Sequence, residues 1–113
     1  MNYTQRHKHA ATTSRSLWLS NRRKRGLRKD VKVGDIIENC SLHLARVISV
    51  DNRSGDVVTI SLFEGHKGSC DLYYCGVVVQ TTKQIIQKME MFKTGGMPAI
   101  NAFWQKRILL GTY

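Results

Sequence analysis

The chain is short of acids, of proline, of cysteine and of long apolar runs, and each shortage narrows what the protein can be. No stretch approaches the roughly 18 consecutive apolar residues of a bilayer span, so no membrane-spanning segment is expected. The first 16 residues contain no apolar core of the kind that begins a secretory signal, which points to a cytoplasmic or nucleoprotein-particle location and away from secretion. Cysteines number three. An odd count in a chain not routed for export argues for thiols or metal-bound thiolates instead of a disulfide framework.

The eight acids are scattered (Asp30, Asp35, Glu38, Asp51, Asp56, Glu64, Asp71 and Glu90), with no pair at a spacing that suggests acid/base work. No phosphate-binding glycine loop or oxyanion motif accompanies them. Cys40 and His43, two residues between them, do not by themselves build an activated nucleophile. The expectation is a protein that is not an enzyme and has no small-molecule substrate.

What the chain has in excess is positive charge, and its placement matters more than its sum. Lys and Arg outnumber Asp and Glu by 18 to 8 in 113 residues. Ten of those cations lie in residues 1–32 against the single acid Asp30, a net of +9, whereas the remainder carries eight cations and seven acids, a net of +1. A basic arm joined to a nearly neutral body is the footprint of a protein that meets a polyanion.

Within the arm, Thr13 or Ser14 is placed to cap a short helix anchored by Leu17 and Trp18, running into Asn21-Arg22-Arg23-Lys24-Arg25 and stopping at Gly26. On such a helix Arg15, Arg22 and Arg25 fall near the side of Trp18. An indole can then stack on an unpaired base while guanidiniums fork onto phosphates. Arg15, Trp18, Arg22, Arg23, Lys24, Arg25, Arg28, Lys29 and Lys32 are the candidate nucleic-acid contacts, with RNA favoured over DNA. The pattern resembles the arginine-rich extensions of ribosomal proteins and of viral RNA-binding or packaging proteins. A solvated cationic tail without a fixed partner is the bland alternative.

From Val33 to Gln80 the chain reads as short strands: Ile36 to Asn39, Leu44 to Val50, Val57 to Phe63 and Gly76 to Val79. Asp51 to Asp56 reads as a hairpin loop and Glu64 to Ser69 as another. Lys32-Val33-Gly34-Asp35-Ile36-Ile37, then Arg46-Val47-Ile48-Ser49-Val50-Asp51 and Val57-Val58-Thr59-Ile60, resembles an SH3-like barrel of the KOW kind, found in ribosomal proteins and transcription elongation factors. The likeness spans residues 32–62 and rests on Gly34-Asp35 and on Val47 with Val50; it departs where Cys40-Ser41-Leu42-His43 takes the place of a glycine-bearing turn. It implies a small SH3-like barrel.

Cys40 with His43, and Cys70 with Cys75, supply four donors in two knuckles, the number that a closed tetrahedral zinc site needs. One structural zinc clipping the barrel is therefore expected, with His66 an alternative to His43 as fourth ligand. Buried inert cysteines and surface histidines are the competing reading.

Residues 81–113 are expected to form a helical hairpin. Thr81 and Gln84 match a capping box, Ile85, Ile86, Met89 and Phe92 repeat at helical spacing, and Gly95-Gly96 interrupts the pattern. Pro98 opens a second helix with Ile100, Phe103, Trp104, Ile108 and Leu109 or Leu110 on its apolar side. These residues are read as packing on the barrel, with a docking surface around Trp104, Lys106 and Arg107 as the rival.

The expected whole is mainly β with a C-terminal helical hairpin (α+β): arm 1–32, barrel 33–80, hairpin 81–113. Its expected function is nucleic-acid binding, RNA above all, within a ribosome-like assembly that also supplies protein partners. The alternative is a structural or adaptor protein of a viral particle or transcription complex, which binds protein through barrel and hairpin.

Overall fold

The computed structural model describes residue 17 and residues 30–39, 43–72 and 77–110. Five strands and one broken helix follow one another: β1 (Ile36–Glu38), β2 (Leu44–Val50), β3 (Asp56–Ser61), β4 (Lys67–Asp71), β5 (Val78–Val79) and α1 (Thr82–Leu110). They form one antiparallel sheet in the order β4-β3-β2-β1-β5, with a helical element after it, so the α+β class holds. Among the described residues β4 and β5 do not pair, and the sheet is open at both edges.

Side-chain parity sorts the strands into two packed faces. Ile37, Ala45, Val47, Val57 and Cys70 point to one side, where Val31, Leu72 and Val77 close over them as an inner cluster. Leu44 and the half-buried Ile36 point to the other, where they meet Phe63 and the α1 residues Ile100, Trp104 and Ile108. Val31 is only 4% exposed in the inner cluster, so the body begins ahead of Lys32, inside the stretch that charge alone assigns to the arm.

The loops are fixed by their own polar side chains. At the start of β1, Asp35 Oδ2 accepts from the Lys32 amide at 2.9 Å, while Gly34 takes a φ of 97° and donates to the Val47 carbonyl. In the β2–β3 hairpin, Asp51 Oδ1 accepts from the amides of Arg53 and Ser54, and Gly55 adopts φ 82°. Those backbone donors hold the Asp51 carboxyl below its ordinary range.

The expected return strand to Phe63 stops at Ser61. Its hydroxyl accepts from the amides of Phe63 and Glu64, turning the chain at Leu62–Glu64. This leaves room for β4, which runs through Gly68 and Ser69, a segment that reads as loop. Strand β4 is a sheet edge with exposed Lys67, Gly68 and Ser69, so it has no need of alternating apolar residues.

Helix α1 starts with reciprocal bonds: the Thr81 amide donates to Gln84 Oε1 at 2.8 Å, and the Gln84 amide to Thr81 Oγ1 at 3.2 Å. It breaks at Gly96, whose φ of 65° and ψ of −162° are accessible essentially to glycine alone. Lys88 and Arg107 stand 19 residues apart and would be separated by about 28 Å on a straight helix. Both nevertheless reach Glu38 Oε2, so the two halves of α1 fold back on each other.

The reversal brings Gly95 so close to the next turn that a Cβ added there would lie 2.5 Å from Ala99 Cβ. A Gly95→Ala variant is expected to lose about 1–3 kcal/mol through overpacking. Adding Ala99→Gly should recover part of that loss, and the two urea midpoints measure both effects.

Candidate nucleic-acid interface

Of the candidate contacts in the arm, Arg15, Trp18, Arg22, Arg23, Lys24, Arg25, Arg28 and Lys29 lie outside the described residues. Leu17 is helical and 62% exposed, and Lys32 is exposed at the root of β1.

Of the four candidate metal ligands, Cys40 and Cys75 lie outside the described residues. Cys70 pairs with Val57 across β3–β4 and is buried in the inner cluster. His43 precedes β2, beyond the last ladder pair, Ala45 with Ser61. From the row of Val57 to that of Ser61 is four residues, about 13 Å of strand, and β2 and β4 lie on opposite sides of β3. The register therefore keeps His43 and Cys70 apart, whereas two ligands of one zinc sit within a few ångströms of each other. His66 lies in the β3–β4 turn, its ring 3.7 Å from Glu64. Among the described residues no three His, Cys, Asp or Glu side chains gather closely enough to hold a metal.

Sequence reasoning missed a polar cleft at the open end of the inner face. Along β3 the inward positions run Val57, Thr59, Ser61, so the face passes from apolar to polar as it leaves the inner cluster. The partner of Thr59 on β4 is Gly68, which has no side chain to cover it. The result is a cleft of about 210 Å³ walled by Asn39, His43, Thr59, Ser61, Lys67 and Gly68, with Glu64 and His66 at its rim.

Its walls are fixed from behind. The His43 amide donates to Asn39 Oδ1 at 3.0 Å and its carbonyl accepts from the Asn39 amide, clamping the two residues together. The His43 ring meets Phe63 edge-on at 6.1 Å, and Phe63 stacks on Phe92 at 5.0 Å. An aromatic relay thus links the cleft wall to the first half of α1. The cue in the sequence was an inward-facing glycine opposite a threonine, but it has meaning only once the β3–β4 register is known.

A second polar group, also unforeseen, lies inside the helix–sheet interface. Glu38 shares the outer face with Ile36, and its Oε2 is 2.9 Å from Lys88 Nζ and 3.3 Å from Arg107 Nη1. Lys88 Nζ also donates to Gln80 Oε1. Trp104 lies against both cations, 4.7 Å from Lys88 and 4.4 Å from Arg107, and is only 3% exposed. Trp104 and Arg107 are thereby committed to the interior contact, against the reading that placed them on a docking surface.

Outside this cluster the body from Val33 to Leu110 carries six cations (Arg46, Arg53, Lys67, Lys83, Lys93 and Lys106) and six acids, so its outer surface is balanced. No helix of the described residues is long and apolar enough to cross a membrane. No protein-family model matches the chain, and neither the curated proteins nor the solved structures contain a match to it.

Proposed function

We propose that the chain is a non-enzymatic nucleic-acid-binding protein, selective for RNA, that works as a component of a ribosome-like nucleoprotein assembly. One observation carries this reading: residues 1–29 hold nine cations and no acid, ahead of a body whose own charges nearly cancel. Attraction to a polyanion is then a property of the arm, while the body orients it. The strand order, with β5 returning beside β1, supports reading the body as an SH3-like barrel that is open between β4 and β5. Trp18 among arginines favours unpaired RNA, whose splayed bases stack on aromatic side chains.

The test is salt dependence. With about six phosphate contacts on single-stranded RNA, log Kd should rise with log salt at a slope of about 4. Truncation after Lys29, which leaves Val31 in the inner cluster, should abolish most binding while the body keeps its thermal transition. Unchanged affinity in that truncation would defeat the reading.

A second reading rests on Ile86 and Leu109, 58% and 55% exposed. Each lies two residues from a cation bound to Glu38, one on each half of α1, so both face away from the seam, an exposure of two large apolar side chains. It fits an adaptor of a viral particle or transcription complex, and partners retained after nuclease treatment would favour it.

A further inference from the structure

The cleft beside β4 has features that the arm does not explain. Thr59, only 1% exposed, lines the cleft and carries a hydroxyl there. A Cβ built on Gly68 would lie 3.7 Å from that Oγ1, so the hydroxyl is turned towards the space that glycine leaves empty. A hydroxyl at the wall of a cleft can exchange water for a polar group on the edge of a ligand.

The size and lining limit what the ligand can be. At about 210 Å³ the cleft falls below the ~300–1,000 Å³ that encloses drug-sized molecules, so it accepts a group the size of one ring system. Its walls are amide, hydroxyl, imidazole and backbone, which exclude a lipid tail or an apolar side chain and suit a flat group with donors and acceptors on its edge. Lys67, at the mouth, adds a positive charge for an adjoining anion.

Position ties the cleft to the arm. The Val47 amide donates to the Asp35 carbonyl at the arm's root, and the Asn39 amide to the His43 carbonyl at the cleft. Four residues of β1, about 13 Å, separate them. A strand held by the arm can therefore reach the cleft.

We propose that the cleft formed by Asn39, His43, Thr59, Ser61, Lys67 and Gly68 receives one unpaired nucleobase of the bound strand. The base edge bonds to the Thr59 hydroxyl, the His43 ring flanks it, and Lys67 faces its phosphate. This rests on the RNA-binding reading for the source of the base, while the cleft itself is tested separately.

Nucleoside monophosphates titrated into the full-length ¹⁵N-labelled protein should shift the amides of Thr59, Gly68 and Asn39, and ribose 5-phosphate should not. Equal shifts with ribose 5-phosphate, or none with any nucleotide, overturn the proposal. In parallel, Gly68→Val fills the cleft and Thr59→Val removes the hydroxyl at constant shape. Each should weaken binding of a single-stranded RNA of about twelve nucleotides by roughly tenfold, with an unchanged salt slope and no effect on an abasic strand of equal length. Having two variants guards against a folding defect in either, which a thermal transition reveals. If both variants bind RNA as the wild type does, the cleft proposal fails and the arm reading stands. If the wild type binds no RNA but monophosphates still shift Gly68, the arm reading fails and the cleft stands as a nucleotide site.

Discussion

Glu38→Ala is expected to remove about 3–5 kcal/mol of stability, a large share of the roughly 5–15 kcal/mol that holds a domain folded. The carboxylate is 3% exposed and Lys88 is 4%, and both sit in the seam between sheet and helix. Without Glu38, the Lys88 ammonium keeps the Gln80 carbonyl and the face of Trp104 but loses the carboxylate 2.9 Å away, and Arg107 loses the same carboxylate at 3.3 Å. The buried Lys88 and the half-buried Arg107 then repel each other across the seam. Glu38→Gln keeps an acceptor in place without its charge, and should cost less than Glu38→Ala.

The reciprocal change behaves differently. Lys88→Met removes one cation and leaves Glu38 paired with Arg107, so its cost should be smaller than that of Glu38→Ala. Combining Glu38→Leu with Lys88→Met should cost less than the sum of the two single changes, because a buried pair can be replaced by apolar groups far more cheaply than it can be broken. Urea denaturation of the set measures every term. A Glu38→Ala loss below about 1 kcal/mol would show that water screens the cluster and that it does not lock helix to sheet.

Much of the fold was legible because it depends on local chemistry. The capping box of Thr81 and Gln84, the Asp51 hairpin and the break at Gly95-Gly96 are each set by residues within a few positions of one another. Strand β2 was legible with an irregularity: Val47 and Val50 share the inner face although three positions apart, because a bulge between Val47 and Ser49 shifts the parity and turns Ile48 outward. Strand β4 was not legible, because an edge strand can be glycine- and serine-rich without penalty.

The sites were the least legible part, since they depend on contacts between distant segments. Glu38 meets Lys88 and Arg107 across 50 and 69 residues, and no spacing rule connects them. There was a partial signal: Lys88 adjoins the apolar stripe Ile85, Met89, Phe92, and Glu38 shares parity with Ile36 in an apolar strand. A charge on a buried face asks for a partner, though not which one. The two cysteine knuckles show the converse. Their internal spacing suggested one centre, but whether knuckles meet depends on strand register, and that register holds Cys70 in the β3–β4 ladder, away from His43.

Trp104→Ala should be as damaging as Glu38→Ala, for a different reason. The indole fills the interface among Leu44, Phe63, Ile100 and Ile108, and its removal leaves a large cavity, at about 3–5 kcal/mol. It also strips the aromatic face from Lys88 and Arg107, adding on the order of 0.5–2 kcal/mol for each desolvated cation. Trp104→Phe separates the two contributions. It keeps a ring beside the cations and deletes the indole Nε1–H, which is buried with no acceptor among the described residues, so the polar part of the change should stabilise and offset some lost volume. The expected order of urea midpoints is wild type, then Trp104→Phe, with Trp104→Ala far below. In Trp104→Ala the Glu38 cluster should also exchange amide protons faster at Ile37 and Glu38, because the helix that shields β1 is held there by the same side chain. If Trp104→Phe proves as unstable as Trp104→Ala, the particular fit of the indole outweighs both the aromatic face and the unbonded N–H.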